Sequence, residues 1–227
     1  MQEVNMAENL EDLAYEKIKV AISKGYIKKG DKLKEVSLAG NLKMSRATVK
    51  GAFKRLVHEG LAEYKMNKGV SVVNPSLENI KESFQVRAHL ENISTSLAAG
   101  KLTPEDFEAL HGLIRKEESV FKARELDKYH EINNTFHLKI AEKSGNRVLV
   151  HYVTELLQKT TIYLILFDPF YQILTTNNPS PLEHRKIVRY LENNEGGKAG
   201  LEMKKHLESS MRGIDLKRIL PDDYLTV

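Results

Sequence analysis

His130, Asn133 and His137 are separated by three and four residues, which in a helix places all three on one face. Ile132, Phe136 and Ile140 turn that face partly inward. His184 falls in the first full turn of a later helical stretch, and His206 stands beside Met203 and Leu207. A helical bundle can bring such side chains together in its core, where neutral imidazole holds zinc, nickel and similar ions. Taken singly, each of these histidines is equally readable as a satisfied core or surface residue. The chain has 227 residues and no cysteine, so disulfides, thiolate metal sites and a Cys nucleophile are excluded. Any metal must then be held by His, Asn or carboxylates.

A second group of residues points to phosphate. Ser45 is placed to cap a helix in which Val49, Phe53 and Leu56 form an apolar stripe. Arg46, Lys50 and Lys54, four apart, are left on the outer side with Ala47 and Gly51. A helix with such a cationic ridge fits the major groove of a duplex; its first turn, here Arg46 and Thr48, is the part that reaches base edges. Downstream, Asn67, Lys68 and Gly69 lie between two short strand-like stretches and suit a hairpin turn, with Lys68 as a wing cation and Gly69 allowing close approach to a backbone. Through Pro75 the chain carries 14 Lys and Arg against 9 Asp and Glu, whereas the rest carries 21 against 22. From Lys17 to Pro75 the excess rises to +10. The positive field belongs to one segment, and a polyanion is its natural partner.

The elements that must position these residues follow from spacing. Asn9 to Lys24 reads as a first helix, Val36 to Leu42 as a short second one, and the helix behind Ser45 ends at Gly60, a left-handed stop. Strands are expected at Leu61 to Tyr64 and Val70 to Val73. Three helices and a hairpin make a winged helix-turn-helix over residues 1–75. Residues 76–227 read as an all-α bundle of about six helices. The first of these, Leu77 to Ala99, is apolar along Val86, Leu90, Ile93 and Leu97. Thr103-Pro104-Glu105-Asp106 is a capping start, helices follow over about Glu125 to Lys143 and Arg147 to Phe167, and Asp168 to Ser180 is a loop. Ser180-Pro181-Leu182-Glu183 reads as a second capping box, and Gly196 and Gly197 separate its helix from a last one, Lys198 to about Ile214. The expected fold class is mainly α.

The run "GYIKKGDKLKEVSLAGNLKMSRATVKGAFKRLVHEGLAEYKMNKGVSVV" resembles the amino-terminal domain of GntR-type bacterial transcription regulators, through Gly30, Leu33, Glu35, Leu38, Ala39, Leu42, Ser45, Arg46, Val49, Leu56, Glu59, Gly60, Leu61, Gly69 and Val72. The resemblance implies DNA contacts at Arg46, Thr48, Lys50, Lys68 and Gly69. Four positions depart from the family pattern: Lys43 replaces a turn Gly, Thr48 a Pro, Lys50 an Arg and Gly51 a Glu. At Lys50 the change replaces a planar fork by a point charge, which suits a phosphate. From about Leu77 to Ile214, "VRAHLE", "FHLKIAEKSGN", "LEHRKIV" and "MKKHL" fall in the order of the helical FCD effector domain of the FadR branch. Its metal-binding members imply Asn133, His137, His184 and His206 as ligands of a divalent ion, zinc or nickel foremost. Asn133 stands where the family more usually has Asp, so the site carries one negative charge less. Arg87, four residues before Glu91, is readable as an intrahelical ion pair; the resemblance places it near an effector cavity, facing a carboxylate.

The resemblance further implies a homodimer whose two arms read a pseudo-palindromic operator in double-stranded DNA, with a small organic acid modulating that binding. Two other classes compete. A metal-dependent hydrolase would use the histidines, but the chain has no His-Glu-x-x-His run, no Gly-rich phosphate loop and no nucleophile elbow. An architectural DNA-binding protein would use the basic segment without sensing anything, leaving the large helical domain unexplained. The longest purely apolar run, Ile162 to Phe167, is far below the roughly 18 residues of a membrane span, so no membrane partner and a cytoplasmic location are expected.

Overall fold

The computed structural model describes residues 2–167, 178–212 and 214, with backbone alone for 2–9 and 126–127. Two units make up the chain, Met1–Ser76 with Ile162–Leu166, and Leu77–Thr161 with Phe167–Val227.

In the first unit, α1 (Gln2–Ser23), α2 (Glu35–Leu42) and α3 (Arg46–His58) precede an antiparallel hairpin of β1 (Ala62–Lys65) and β2 (Gly69–Val72). Helix α1 begins seven residues earlier than its apolar pattern. The core takes Ala14, Tyr15, Ile18 and Ile22 from α1 and Val49, Ala52, Phe53 and Leu56 from α3, closed below by Leu61, Ala62 and Val72. The apolar stripe of α3 therefore faces inward as its spacing requires. Arg55 holds α1 and α3 together: its guanidinium lies 2.6 Å from Asp12, 3.1 Å from Glu59 and 3.8 Å over the Tyr15 ring, while the Tyr15 hydroxyl donates to Glu59. A side chain at Gly51 would meet the carboxylate end of the exposed Glu11 side chain, which would have to swing aside. The turn between α2 and α3 is made by Lys43 at φ 55, a left-handed conformation that glycine adopts more cheaply.

The second unit is all helical among the described residues: α4 (Leu77–Ala98), α5 (Pro104–Ala123), α6 (Leu126–Lys143), α7 (Arg147–Phe167), α8 (Ser180–Glu192) and α9 (Gly196–Arg212). Its core joins Leu110, Ile114, Phe136, Ile140, Ile187, Val188, Leu191 and Met203. Thr103 forms the expected capping box with Asp106. Two sequence expectations are corrected. Helix α8 is not capped by Ser180: Pro179 occupies the cap position without a side-chain bond, the Ser180 amide donates to Asn178 Oδ1, and Glu183 turns to His206 instead. Gly196 and Gly197 open α9 rather than preceding it, and close packing demands glycine at the first of them: a Cβ at Gly196 would lie 2.6 Å from the Ser96 carbonyl oxygen. The apolar stripe of α4 does not face the core. Val86, Ile93 and Leu97 are 50%, 49% and 42% exposed, whereas Ser83, Phe84, Arg87, Glu91, Ser94 and Thr95 are buried. Of the loop expected from Asp168 to Ser180, residues 168–177 lie outside the described residues.

Candidate functional site

His137 on α6, His184 on α8 and His206 on α9 meet in the interior of the second unit, each offering a ring nitrogen within 4.8 Å of the other two. The three rings stack edge and face: His137 lies 5.2 Å from His206 and 5.4 Å from His184, and Phe136 covers His184 at 4.1 Å. Each imidazole is held from behind by a carboxylate. His137 Nδ1 lies 2.6 Å from Glu91, His184 Nδ1 lies 2.8 Å from Glu117, and His206 Nδ1 lies 2.7 Å from Glu183. An ionised carboxylate only accepts, so each Nδ1 carries the proton when its ring is neutral, and each Nε2 keeps its lone pair. The Nε2 atoms of His184 and His206 are 3.2 Å apart, and His137 Nε2 is buried with no hydrogen-bond partner among the described residues. Two lone pairs that close, beside a third without a donor, fit a cation and fit little else.

The electrostatics agree. Burial pushes the His137 ring down to about 3 and lowers His206, helped there by His184, so both are neutral near pH 7 and able to ligate. Burial alone would raise Glu91, but His137 and the Arg87 guanidinium hold it down at about 2. Glu183 is likewise kept below the usual carboxylate range, against its burial, by the hydrogen bond from His206. Arg87, fully buried, donates from Nε to Glu91 at 2.6 Å and from Nη1 to Thr160 at 2.7 Å. The intrahelical pair is thus present, yet it leaves Arg87 Nη2 without a partner among the described residues, as it does Thr95 Oγ1 on the same helix. Left unsatisfied, each such group costs about 1–3 kcal/mol.

Asn133, one turn before His137 on α6, is buried as well. His130 is buried against Tyr129 and lies outside the triad. His111 pairs with Glu192 at 2.8 Å on the surface. Spacing singled out the three histidines and the family resemblance grouped them, but neither pointed to Glu117 or Thr160, which arrive from 67 and 73 residues away. Glu183 was legible only as a capping residue.

In the first unit the residues expected to touch DNA are displayed on α3 and the wing. Ser45 caps α3, its hydroxyl oxygen accepting from the Thr48 amide at 3.0 Å and pairing with the Thr48 hydroxyl at 2.8 Å. Arg46, with 69% of its side chain exposed, is loosely tied to Glu35 at 3.6 Å. Lys50, Lys54 and Lys68 are exposed, and Gly69 takes φ 84. Three of the four cations therefore stand without an anionic partner among the described residues.

The comparisons with known proteins bear on both units. Residues 10–72 match the model of bacterial regulatory proteins of the gntR family, and residues 82–209, more than half of the chain, match the FCD domain. The chain belongs to the GntR-type transcription regulators that carry an FCD domain. Among its relatives is the HTH-type transcriptional regulator LutR of Bacillus subtilis strain 168, 29% identical over 208 residues that cover 82% of this chain and 92% of LutR. The transcriptional regulator McbR of Escherichia coli K12 is 27% identical over 139 residues, 61% of this chain and 63% of McbR. In fold, the chain resembles E. coli McbR/YncC with a TM-score of 0.67 over 89% of this chain and 95% of that one, at 20% identity. A regulator from Rhodococcus sp. RHA1 is similar at 0.64, with the same coverage. These relatives are regulators, not enzymes, and the protein is a DNA-binding transcription regulator. No described helix is long and apolar enough to cross a membrane.

Proposed function

We propose that this protein is a ligand-responsive regulator: residues 1–75 read a pseudo-palindromic operator as one arm of a cytoplasmic homodimer, and residues 76–227 bind a divalent metal and a small carboxylate that tunes the reading. The observation that carries the sensing part is the set of three buried imidazoles, each backed by a carboxylate, with their Nε2 atoms turned together beside a buried arginine. His137, His184 and His206 would hold the ion, zinc or nickel, with Asn133 adding a neutral carbonyl oxygen. When bound, the ion supplies a Lewis-acidic anchor for a carboxylate. Arg87 orients that acid by donating from Nη2, and Thr95 offers a hydroxyl beside it. The buried Glu91 neutralises Arg87, so that the pocket binds an anion without stranding a cation in the apo state. The acid changes DNA affinity by the ratio of its affinities for the two arrangements of the dimer.

DNA reading is assigned to Arg46 on base edges, to Lys50, Lys54 and Lys68 on phosphates, and to Ser45, Thr48 and Gly69 at the points of closest approach. Homodimer formation is supported by the exposed stripe of α4. Val86, Leu90, Ile93 and Leu97 alternate by four and three residues, the spacing with which one helix packs on another, and a two-fold axis makes such a stripe its own complement.

The test is a thermal-shift series of small carboxylates on the purified protein, with and without chelator. At a concentration a hundred times its Kd, the right acid stabilises by about 2.7 kcal/mol. The expected result is a shift that chelator abolishes and that accompanies altered DNA binding. Protein that purifies without metal, and melts identically with chelator, zinc or nickel, contradicts the sensing role.

A further inference from the structure

The wing exposes two apolar side chains that its own core does not use. Tyr64 is 70% exposed and Met66, the most exposed large hydrophobic residue among the described ones, 82%. Strand alternation puts Tyr64 on the side of Ala62, which is buried at 3%, and Met66 follows β1 as the first residue of the turn. The core thus ends at Ala62 and the same face continues outward without cover. Between Lys65 and Lys68 the chain reverses, the Lys68 amide donating to the Lys65 carbonyl at 3.0 Å, with Asn67 at φ 61 and Gly69 at φ 84. Met66 stands at the tip of this reversal.

Its surroundings are cationic. Lys68 and Lys65, the latter paired with Glu63 at 2.7 Å, flank it, and Lys32 reaches to within 3.5 Å of where a Cβ on Gly69 would sit. An unbranched apolar side chain at the end of a narrow, positively charged hairpin has one well-matched polyanionic partner. Minor-groove proteins insert apolar wedges, Met among them, between base steps while cations hold the neighbouring phosphates. The groove is about 6 Å wide, and pyrimidine–purine steps unstack most readily.

We propose that Met66, backed by Tyr64, is an apolar wedge that enters the minor groove next to the half-site read by α3, so that part of operator choice is the deformability of a step that no hydrogen bond reads. The inference rests on the assignment of the first unit as the DNA reader. Met66 supplies the wedge, Tyr64 a flat apolar flank, and Lys65 and Lys68 the phosphate anchors.

The experiment uses the full chain. Wild type selects duplexes from a random library. The selected duplex is then titrated with wild type, Met66→Ala, Met66→Leu and Lys68→Ala at several salt concentrations, and the bend of each complex is measured by gel mobility. Met66→Ala should bind about tenfold more weakly, the scale of one lost base contact, with an unchanged salt slope and a smaller bend. Met66→Leu should restore most of both. Lys68→Ala should instead lower the salt slope by about 0.9, one phosphate contact. Replacing a pyrimidine–purine step at the wing site by an A-tract should weaken wild type and leave Met66→Ala unaffected. Wild-type affinity and bend in Met66→Ala would overturn the wedge alone. If wild type selects no duplex at all, the assignment of the first unit as a DNA reader falls with it.

Discussion

The carboxylate behind each imidazole decides which nitrogen faces the centre. Glu117 shows the logic: it accepts from His184 Nδ1 with both side chains out of water, and it also faces the buried Tyr129 hydroxyl. An amide in its place still accepts a hydrogen bond but no longer raises the basicity of the ring. Glu117→Gln is therefore expected to weaken zinc binding about 10- to 100-fold, with unchanged melting in chelator. Titration of zinc into chelator-stripped protein measures this, and an unchanged affinity would refute the supporting role. The three histidines were legible in the sequence because helical spacing and apolar neighbours mark an inward face, and the family resemblance joined them into one set. Their carboxylate partners were not. Glu117 and Glu183 reach their histidines across sequence gaps of 67 and 23 residues, and nothing local distinguishes them from surface acids.

At the scale of elements, hydrophobic spacing placed every described helix and the hairpin but did not say which way each face turns. Helix α4 buries Arg87, Glu91, Ser94 and Thr95 and exposes Val86, Ile93 and Leu97. Periodicity reports which residues share a face, and the usual inference that the apolar face is the inner one fails where the interior is a polar site. The misjudged start of α9 has a similar origin. Gly196, read with Gly197 as a spacer, and Gly200 are contact residues: a Cβ on Gly200 would meet the Ser96 and Asn92 side chains and lie 2.5 Å from the Asn92 carbonyl oxygen. The helix that carries His206 can approach α4 only through these glycines. Gly200→Ala is expected to destabilise by about 1–3 kcal/mol through overpacking, despite the better helix propensity of Ala. That corresponds to a melting point lower by about 2–4 °C per kcal/mol for a chain of this size. An unchanged or raised melting temperature would show that α9 has room to spare. Lys43 illustrates the opposite case, in which a non-glycine residue stands in a left-handed turn that the neighbouring helices impose.

For the molecule as a whole, the order of a basic helix-turn-helix segment and a charge-balanced helical domain was readable from charge and pattern alone. The proposed coupling of a ligand in one domain to DNA held by the other has no local signal, because it would depend on two copies and two arrangements. The account stands or falls on groove reading by α3. The most direct measurement compares Arg46→Ala with wild type on the selected operator and on random duplex at one moderate salt concentration. Arg46→Ala should lose about 1–3 kcal/mol on the operator and little on random DNA, so that its preference collapses toward unity. Equal losses on both duplexes would mean that Arg46 is only a phosphate contact and that α3 does not read sequence.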